Sequence, residues 1–264
     1  MPSPASTCSP RSRWAVSDRG GPVWTIVLAA GGGTRFGGRK QFFDLGGEPL
    51  VAHPVRAAWA ASDGIVVVLP GDGDSDPDGL ATPGVLTVPG GASRAESVRA
   101  GLATVPGGAA IIVVTDAAHP LASADLYRRV IAEVRAGADA AVPGLPLTEV
   151  VKAVRPEPGP GGTERLVAGA SLVRETHRLV QTPHAFRAGL LRAVHAGAPE
   201  AVEDSAMVTA AGGRIVVVPG EPANIHVTTP DELAMARLLL THVRQMRSEG
   251  EPDEYGTGRV RAVR

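Results

Sequence analysis

The chain contains few aromatic residues and only one cysteine. Aromatic residues make up 3% of its 264 residues, and the cysteine is Cys8. One cysteine cannot form an intrachain disulfide or a cysteine-built metal site, and this usage favours a reducing compartment. The formal net charge is −1 with 20% charged residues, so no strongly basic surface is expected for nucleic acid or for an anionic membrane.

Long apolar runs are also missing. No stretch of about 18 apolar residues is present, so we expect no membrane-spanning helix. Residues 1–21 hold Arg11, Arg13 and Arg19 among Pro, Ser and Gly without an apolar core, so we expect no secretory signal. These features predict a cytoplasmic protein. Disordered tails are expected at 1–21 and 248–264, around a domain at 22–247.

Short apolar runs alternate with helical patterns along this domain. Runs of about four to eight apolar residues suit strands that are covered on both faces, as in a parallel sheet. Predicted buried strands lie at 24–30, 65–69, 85–88, 110–114, 138–142 and 215–218. Predicted helices lie near 50–61, 94–104, 124–136, 187–195, 204–211 and 230–246. The alternation predicts a doubly wound α/β fold with a mostly parallel sheet, whose ligands bind beyond the carboxyl ends of the strands.

Two of these helices begin with capping signals. Ser93 and Glu96 have the spacing of a capping box. Thr229, Pro230 and Glu232 supply an N-cap, a proline at the first helical position and a carboxylate at the third. Both signals fix where a helix starts after a loop.

The segment 143–184 interrupts the alternation. A turn rich in Pro and Gly at 156–162 lies between apolar residues at 150–154 and at 166–167. Two apolar segments around such a turn predict a β-hairpin. We therefore expect an arm at about 145–180 that protrudes from the domain.

The most informative segment follows the first predicted strand. Three consecutive glycines, beginning at Gly31, come directly after it, and two cations, Arg35 and Lys40, follow within ten residues. Glycines allow backbone N–H groups to approach phosphate oxygens, and cations neutralise the remaining charge. The segment predicts a loop that binds a nucleoside triphosphate.

Other glycine-rich designs fit this segment less well. A Walker loop would need lysine where Arg39 stands and a hydroxyl where Gln41 stands. A dinucleotide fingerprint that starts at Gly31 would place its third glycine on Phe36, and no acidic residue closes the next strand. A glycine-rich surface turn with solvated cations stays an alternative.

The loop resembles a known family. Residues 29–37, Ala-Ala-Gly-Gly-Gly-Thr-Arg-Phe-Gly, followed by Lys-Gln-Phe at 40–42, are similar to the signature of the 2-C-methyl-D-erythritol 4-phosphate cytidylyltransferases and of the neighbouring ribitol-phosphate cytidylyltransferases. The resemblance implies that Arg35 and Lys40 stabilise the transition state at the α-phosphate. It implies nucleotide contacts from a set of small and polar residues: Ala29, Ala30, Gly31, Gly33, Gly91, Arg94, Ser97 and Asp116.

The resemblance continues through the parts that would hold the acceptor. It implies that Arg174 and His226 position the attacking phosphate, and that Asp116, His119, Arg174 and Thr182 bind the acceptor substrate. Five polar positions of the family pattern have changed, and the residues present are Ala92, His119, Val150, Ala223 and His226. The residues implied to bind the triphosphate therefore follow the family pattern more closely than the residues implied to bind the acceptor.

The expected activity is that of a magnesium-dependent cytidylyltransferase that uses CTP and 2-C-methyl-D-erythritol 4-phosphate. Mg²⁺ is expected mainly on the CTP phosphates, with no dedicated side-chain metal site. The resemblance also implies a homodimer formed through the arm. Three alternatives stay open, namely a different polyol or sugar phosphate such as ribitol 5-phosphate as acceptor, a non-catalytic nucleotide-binding paralogue, and a nicotinamide reductase.

Overall fold

The structure is a computed structural model, and it describes residues 20–33, 36–71, 84–197 and 203–250, with side chains up to residue 245. Most of the two predicted tails lies outside these ranges, and so does Arg35. Among the helices of the described ranges, none has the length and apolar character needed to cross a bilayer.

Strands and helices alternate through most of the described chain. The strands are β1 (Val23–Leu28), β2 (Gly64–Leu69), β3 (Val85–Pro89), β4 (Ile111–Asp116), β5 (Ala140–Pro146), β6 (Lys152–Pro158), β7 (Glu164–Ser171), β8 (Arg178–Val180), β9 (His184–Arg187) and β10 (Ile215–Pro219). The helices are α1 (Ala52–Trp59), α2 (Arg94–Thr104), α3 (Ala124–Arg135), α4 (Ala188–His195), α5 (Asp204–Ala210) and α6 (Pro230–Gly250).

A mostly parallel sheet forms the centre of the molecule. Its strand order is β10-β5-β9-β4-β1-β2-β3, and β8 pairs with β5 beside this path. β1 pairs in parallel with both β2 and β4, so their carboxyl ends meet at one edge, where Leu28 lies opposite Asp116. The predicted doubly wound α/β fold with a mostly parallel sheet is confirmed.

Helices cover both faces of the sheet. Alternate residues of β2 point to opposite faces, with Ile65 and Val67 in one core and Val66 and Val68 in the other. The first core packs against α1, α3 and α6, and the second packs against α2, α4 and α5. Both capping predictions are also confirmed, because Ser93 and Glu96 form a reciprocal capping box and Thr229 Oγ1 accepts a hydrogen bond from the Glu232 N–H.

Three details of the sheet differ from the predictions. The predicted buried strands at 85–88 and 215–218 are edge strands, with Leu86 42% exposed and Val217 50% exposed. β9 was not predicted, and it inserts antiparallel between β4 and β5. The short strand β8 was not predicted either, and it pairs antiparallel with β5.

The predicted β-hairpin is confirmed. β6 and β7 pair antiparallel, with Pro156 opposite Leu166, and form a sheet separate from the central one. Apolar side chains on this arm are exposed, among them Val154 at 57% and Leu166 at 65%. An isolated two-stranded hairpin is only marginally stable in water. The exposed apolar surface of this arm therefore suits contact with another protein surface.

Candidate active site

A cleft of about 700 Å³ opens at the carboxyl ends of β1 and β4. This is the edge at which ligands bind in open α/β sheets. Most of the residues predicted to contact substrates line it. They are Ala29, Ala30, Gly31, Lys40, Gly91, Arg94, Ser97, Asp116, His119, Thr182 and His226.

The glycine-rich loop is shaped by a tight turn at Gly33. Its φ of +66° is in the left-handed region, and a Cβ there would lie 1.7 Å from the Gly38 carbonyl oxygen. The Gly33 carbonyl accepts hydrogen bonds from the N–H groups of Phe36 and Gly38. Gly33 therefore shapes the loop, and it is not among the residues that line the cleft.

Lys40 lies in the cleft and is anchored to a distant loop. Its Nζ donates a hydrogen bond of 2.6 Å to the carbonyl of Val227. The N–H of the same residue, Val227, donates to the Ala118 carbonyl at 2.8 Å. The main chain of this one buried residue thus joins the lysine, the loop after β4 and the loop that carries His226.

A second glycine turn, at Gly90 and Gly91, packs closely against the glycine-rich loop. A Cβ on Gly90 would lie 2.4 Å from the Cβ of Ala30, so the two loops can approach this closely only with glycine here. Ser97 Oγ accepts a hydrogen bond from the Gly91 N–H at 3.2 Å. Glu96 accepts from the N–H of Ala92 at 2.6 Å, which engages that amide in the helix cap.

Charged side chains meet where β4 ends and α2 begins. Arg94 Nε lies 3.7 Å from Asp116 Oδ1, and each side chain is 28% exposed. Arg94 Nη1 also donates to Asp204 Oδ2 at 2.8 Å. The desolvation of Arg94 is outweighed by these two carboxylates, so its pKa lies above its ordinary value. A cation and a carboxylate thus face the cleft side by side.

Thr182 joins two predicted substrate residues. Its Oγ1 accepts a hydrogen bond from the Asp116 N–H at 3.2 Å and lies 3.0 Å from His119 Nδ1. Because Thr182 is only 5% exposed, its hydroxyl orients these neighbours more than it presents itself to a ligand.

His119 and His226 stack on one another at the edge of the cleft. Their ring centroids lie 4.6 Å apart with an interplanar angle of 12°. Burial, together with repulsion from His226, lowers the pKa of His119 to about 4, so its ring is neutral at neutral pH. His226 is the more exposed ring of the pair, and it lines the cleft.

The loop that carries His226 is fixed from behind by two amide side chains. Gln181 Nε2 donates to the carbonyls of Glu221 and Asn224, each at 2.8 Å, and Gln181 Oε1 accepts from the Glu221 N–H at 2.9 Å. Asn224 Nδ2 donates to the Thr182 carbonyl at 2.9 Å. This network positions the stacked ring relative to the rest of the cleft.

The structure does not bring every predicted residue to the cleft. Arg174 lies in a 3₁₀ turn at the base of the arm, where its Nη1 donates to the Thr148 carbonyl at 2.8 Å. It is absent from the described lining of the cleft, and the neighbouring strands β6 and β7 form a sheet separate from the central one. Arg35 lies outside the described residues.

Sequence reasoning missed several residues that organise the site. Gln41 is 2% exposed and donates to the Gly31 carbonyl at 3.2 Å, which holds the loop against the 3₁₀ turn at Lys40–Phe42. Glu203 and Gln181 line the cleft. Gln181 directly precedes Thr182, a predicted substrate residue, so its place in the chain could have drawn attention to it. No sequence signal pointed to Glu203.

The fold and the site together define a class. A glycine-rich loop after the first strand, a neighbouring lysine and a carboxylate at the end of a parallel strand form the ligand edge of a nucleotidyltransferase-type α/β protein. Similarity to a solved structure supports this class. The crystal structure of 2-C-methyl-D-erythritol 4-phosphate cytidylyltransferase from Thermus thermophilus has 31% sequence identity and a TM-score of 0.66, with 82% of this chain and 98% of that chain covered.

Sequence comparisons identify the family within this class. The family model described as IspD, 2-C-methyl-D-erythritol 4-phosphate cytidylyltransferase, matches residues 23–242. The 2-C-methyl-D-erythritol 4-phosphate cytidylyltransferase of Streptomyces avermitilis is 40% identical over 240 residues, which cover 86% of this chain and 95% of that protein. The chain therefore belongs to the 2-C-methyl-D-erythritol 4-phosphate cytidylyltransferase family.

One relative is considerably longer than this chain. The bifunctional enzyme IspD/IspF of Anaeromyxobacter dehalogenans is 44% identical over 232 residues, which cover 84% of this chain but 58% of that protein. The chain thus spans somewhat more than half of the bifunctional relative.

Proposed function

We propose that the protein transfers the cytidylyl group of CTP to 2-C-methyl-D-erythritol 4-phosphate and releases pyrophosphate. Family membership supports this reaction. The observation that carries it is the convergence of the glycine-rich loop, Lys40, Arg94 and Asp116 on one cleft of about 700 Å³. A cleft of this size is within the usual range for small-molecule sites.

The reaction is an in-line displacement at phosphorus. A phosphate oxygen of the acceptor attacks the α-phosphorus of CTP, a new P–O bond forms, and the bond to the leaving pyrophosphate breaks. Because negative charge spreads over the non-bridging oxygens, the protein acts mainly by positioning and electrostatics. We assign this stabilisation to Lys40, together with Arg35.

We place the acceptor phosphate beside the stacked histidines. Lys40 and His226 both line the cleft on this side, and both are linked to the loop around Val227. His119, neutral and buried, supports His226 from behind through ring stacking. This arrangement places two imidazoles at positions where the chain departs from the family pattern.

The residues present suit a magnesium ion that is held mainly by the triphosphate. Mg²⁺ is usually bound by one or two carboxylates together with substrate phosphates. Asp116 is a half-buried carboxylate in the cleft, and the described residues hold no group of three His, Cys, Asp or Glu side chains that could bind a metal without substrate. When bound, Mg²⁺ would neutralise phosphate charge.

We also propose that two subunits pair through the arm. The exposed apolar side chains of β6 and β7, together with Val173 at 57% exposure, support this pairing. An arm that reaches a second subunit would offer Arg174 to that subunit's acceptor site, which is consistent with the absence of Arg174 from the described lining of its own cleft. The cytoplasmic location expected from cysteine usage is part of the same proposal.

A turnover assay tests the activity directly. The protein is incubated with CTP, Mg²⁺ and separate acceptors, including 2-C-methyl-D-erythritol 4-phosphate and ribitol 5-phosphate, and CDP-linked products are read by mass spectrometry. We expect the methylerythritol product with the highest kcat/KM. Preference for another acceptor would correct the substrate. CTP binding without pyrophosphate release from any acceptor would indicate a non-catalytic protein and overturn the proposal.

A further inference from the structure

Arg94 connects the cleft to a buried pair of side chains behind it. It is the first residue of α2, and it is one of the residues that line the cleft. Nε faces Asp116 in the cleft, while Nη1 points inward to Asp204 at 2.8 Å. Arginine has a long side chain with many rotamers, so a partner that fixes one end also fixes what the other end presents to a ligand.

Asp204 is a fully buried carboxylate, with 0% of the residue exposed. Each of its oxygens has a partner, because Oδ2 accepts from Arg94 and Oδ1 lies 2.9 Å from His195 Nε2. Burial alone would raise the pKa of Asp204, but the hydrogen bonds from His195 and Arg94 and their nearby charges lower it below its ordinary value. The carboxylate is therefore ionised at neutral pH.

His195 completes the chain of contacts away from the cleft. It is the last residue of α4, is 4% exposed, and does not line the cleft. Its Nε2 faces Asp204, and its Nδ1 has no hydrogen-bond partner in the part of the chain that the structure describes. The ordered sequence of contacts is thus Asp116, Arg94, Asp204 and His195, from the cleft to the interior.

We propose that Asp204 and His195 are positioning residues for the nucleotide, because they hold the Arg94 guanidinium in the orientation that the cleft requires. This inference rests on the proposed use of CTP. A buried ion pair is weak support for fold stability, since apolar residues of similar volume often serve as well. Asp204 and His195 instead have a role in binding, because they orient the Arg94 cation at the edge of the cleft.

The expected signature is a change in KM with little change in kcat. Arg94 is not one of the cations assigned to the reacting phosphorus, so its loss of orientation removes binding that is similar in ground state and transition state. Asp204→Ala removes a charge-assisted hydrogen bond, and we expect KM for CTP to rise about tenfold. Asp204→Asn keeps an oxygen that can accept from Arg94, so it should restore much of the affinity.

A double-mutant cycle separates positioning from a general structural effect. Asp204→Ala is measured alone and in an Arg94→Ala background, with CTP affinity by calorimetry and melting temperature recorded for each. If Asp204 acts through Arg94, its effect on affinity disappears in the Arg94→Ala background. His195→Gln should follow the same rule with a smaller effect. If Asp204→Ala does not fold, His195→Gln, measured alone and in the Arg94→Ala background, carries the test.

Asp139→Asn is the matched control. Asp139 pairs with Arg187 at 3.2 Å and accepts from the Arg214 N–H at 2.8 Å, away from the cleft. It should lower the melting temperature and leave KM for CTP unchanged.

The outcomes distinguish this inference from the proposed function. A wild-type protein that neither binds CTP nor releases pyrophosphate removes the function, and the inference falls with it. Normal wild-type turnover with an Asp204 effect that persists undiminished without Arg94, or with no change in CTP affinity, overturns the inference alone.

Discussion

At the scale of single residues, Lys40 is the side chain on which the proposed chemistry depends most. It is one of two lysines in the chain, and the other, Lys152, is on the exposed arm. Arginine supplies nearly all other positive charge. A lysine in the cleft provides a compact cation, and its hydrogen bond to the Val227 carbonyl holds it near the loop of His226.

Replacing Lys40 with alanine should reduce kcat roughly 10²–10³-fold, the effect typical of removing one group that stabilises a developing negative charge. CTP affinity should fall much less. Pyrophosphate release under saturating substrates measures the change, and circular dichroism checks folding. Arg128→Ala is the control, because Arg128 is an exposed cation paired with Asp125 outside the cleft. A folded Lys40→Ala protein with wild-type kcat would contradict the assignment.

His119 leads to a prediction about pH. Its folded-state pKa of about 4 lies below the unfolded value of about 6.5, so the unfolded chain takes up the proton first. The stability that depends on neutral His119 is therefore complete above about pH 6.5 and is lost as the pH falls towards 4. Between pH 7 and pH 4.5 the wild-type protein should lose about 2–3 kcal/mol more than a His119→Gln variant.

Urea unfolding at the two pH values measures this difference. His242→Gln, at an exposed position on α6, is the control and should behave like the wild type. Equal pH dependence of the wild-type and His119→Gln proteins would show that the ring of His119 is not held neutral by its surroundings.

At the scale of elements, the arm provides the clearest test. Leu172 N–H donates to the Val151 carbonyl at 2.9 Å, so a short Gly-Ser linker can replace residues 152–171. The central sheet should still form, because β6 and β7 form a separate sheet. Under the proposal the shortened chain should elute at half the native mass and lose turnover, as measured by light scattering and pyrophosphate release.

Leu238→Ser is the control for exposed apolar surface. Leu238 is 69% exposed on α6, and its replacement should leave the mass unchanged. A shortened chain with the same mass as the wild type would exclude the arm as the dimer contact.

The elements also show what sequence patterns can and cannot predict. β1, β2 and β4 are runs of apolar residues covered on both faces, so the length and apolar character of these runs were sufficient to predict them as buried strands. β9 was missed because it has only four residues, His-Ala-Phe-Arg, and continues directly into α4. Its place between β4 and β5 follows from pairing with distant strands, which no local pattern records.

The candidate site was also predictable only in part from the sequence. The glycine-rich loop, Lys40 and Asp116 follow strands directly, so their position at the sheet edge could be inferred. The contact between Arg94 and Asp204 joins residues that are 110 positions apart in the chain, and it depends on how α5 packs. Such a contact is visible only once the tertiary structure is known.

At the scale of the whole molecule, nucleotide binding should stabilise the folded state. At a CTP concentration about 100-fold above Kd, linkage gives about 2.7 kcal/mol. For a domain of this size that corresponds to a rise in melting temperature of roughly 5–10 °C. Differential scanning fluorimetry with Mg²⁺ and CTP measures the shift, and NADPH is the control that should give none. A shift with NADPH but not with CTP would favour a dinucleotide-binding protein instead.

The central position of β9 has a consequence for biosynthesis. Within the described sheet, strands made early (β1 to β4) are hydrogen-bonded to strands made later (β5 and β10) through β9, His184–Arg187. During translation the two halves of the sheet therefore cannot be joined until the ribosome has released the segment near residue 187. Until then the nascent polypeptide exposes unpaired strand edges, which are sites for chaperone capture or aggregation.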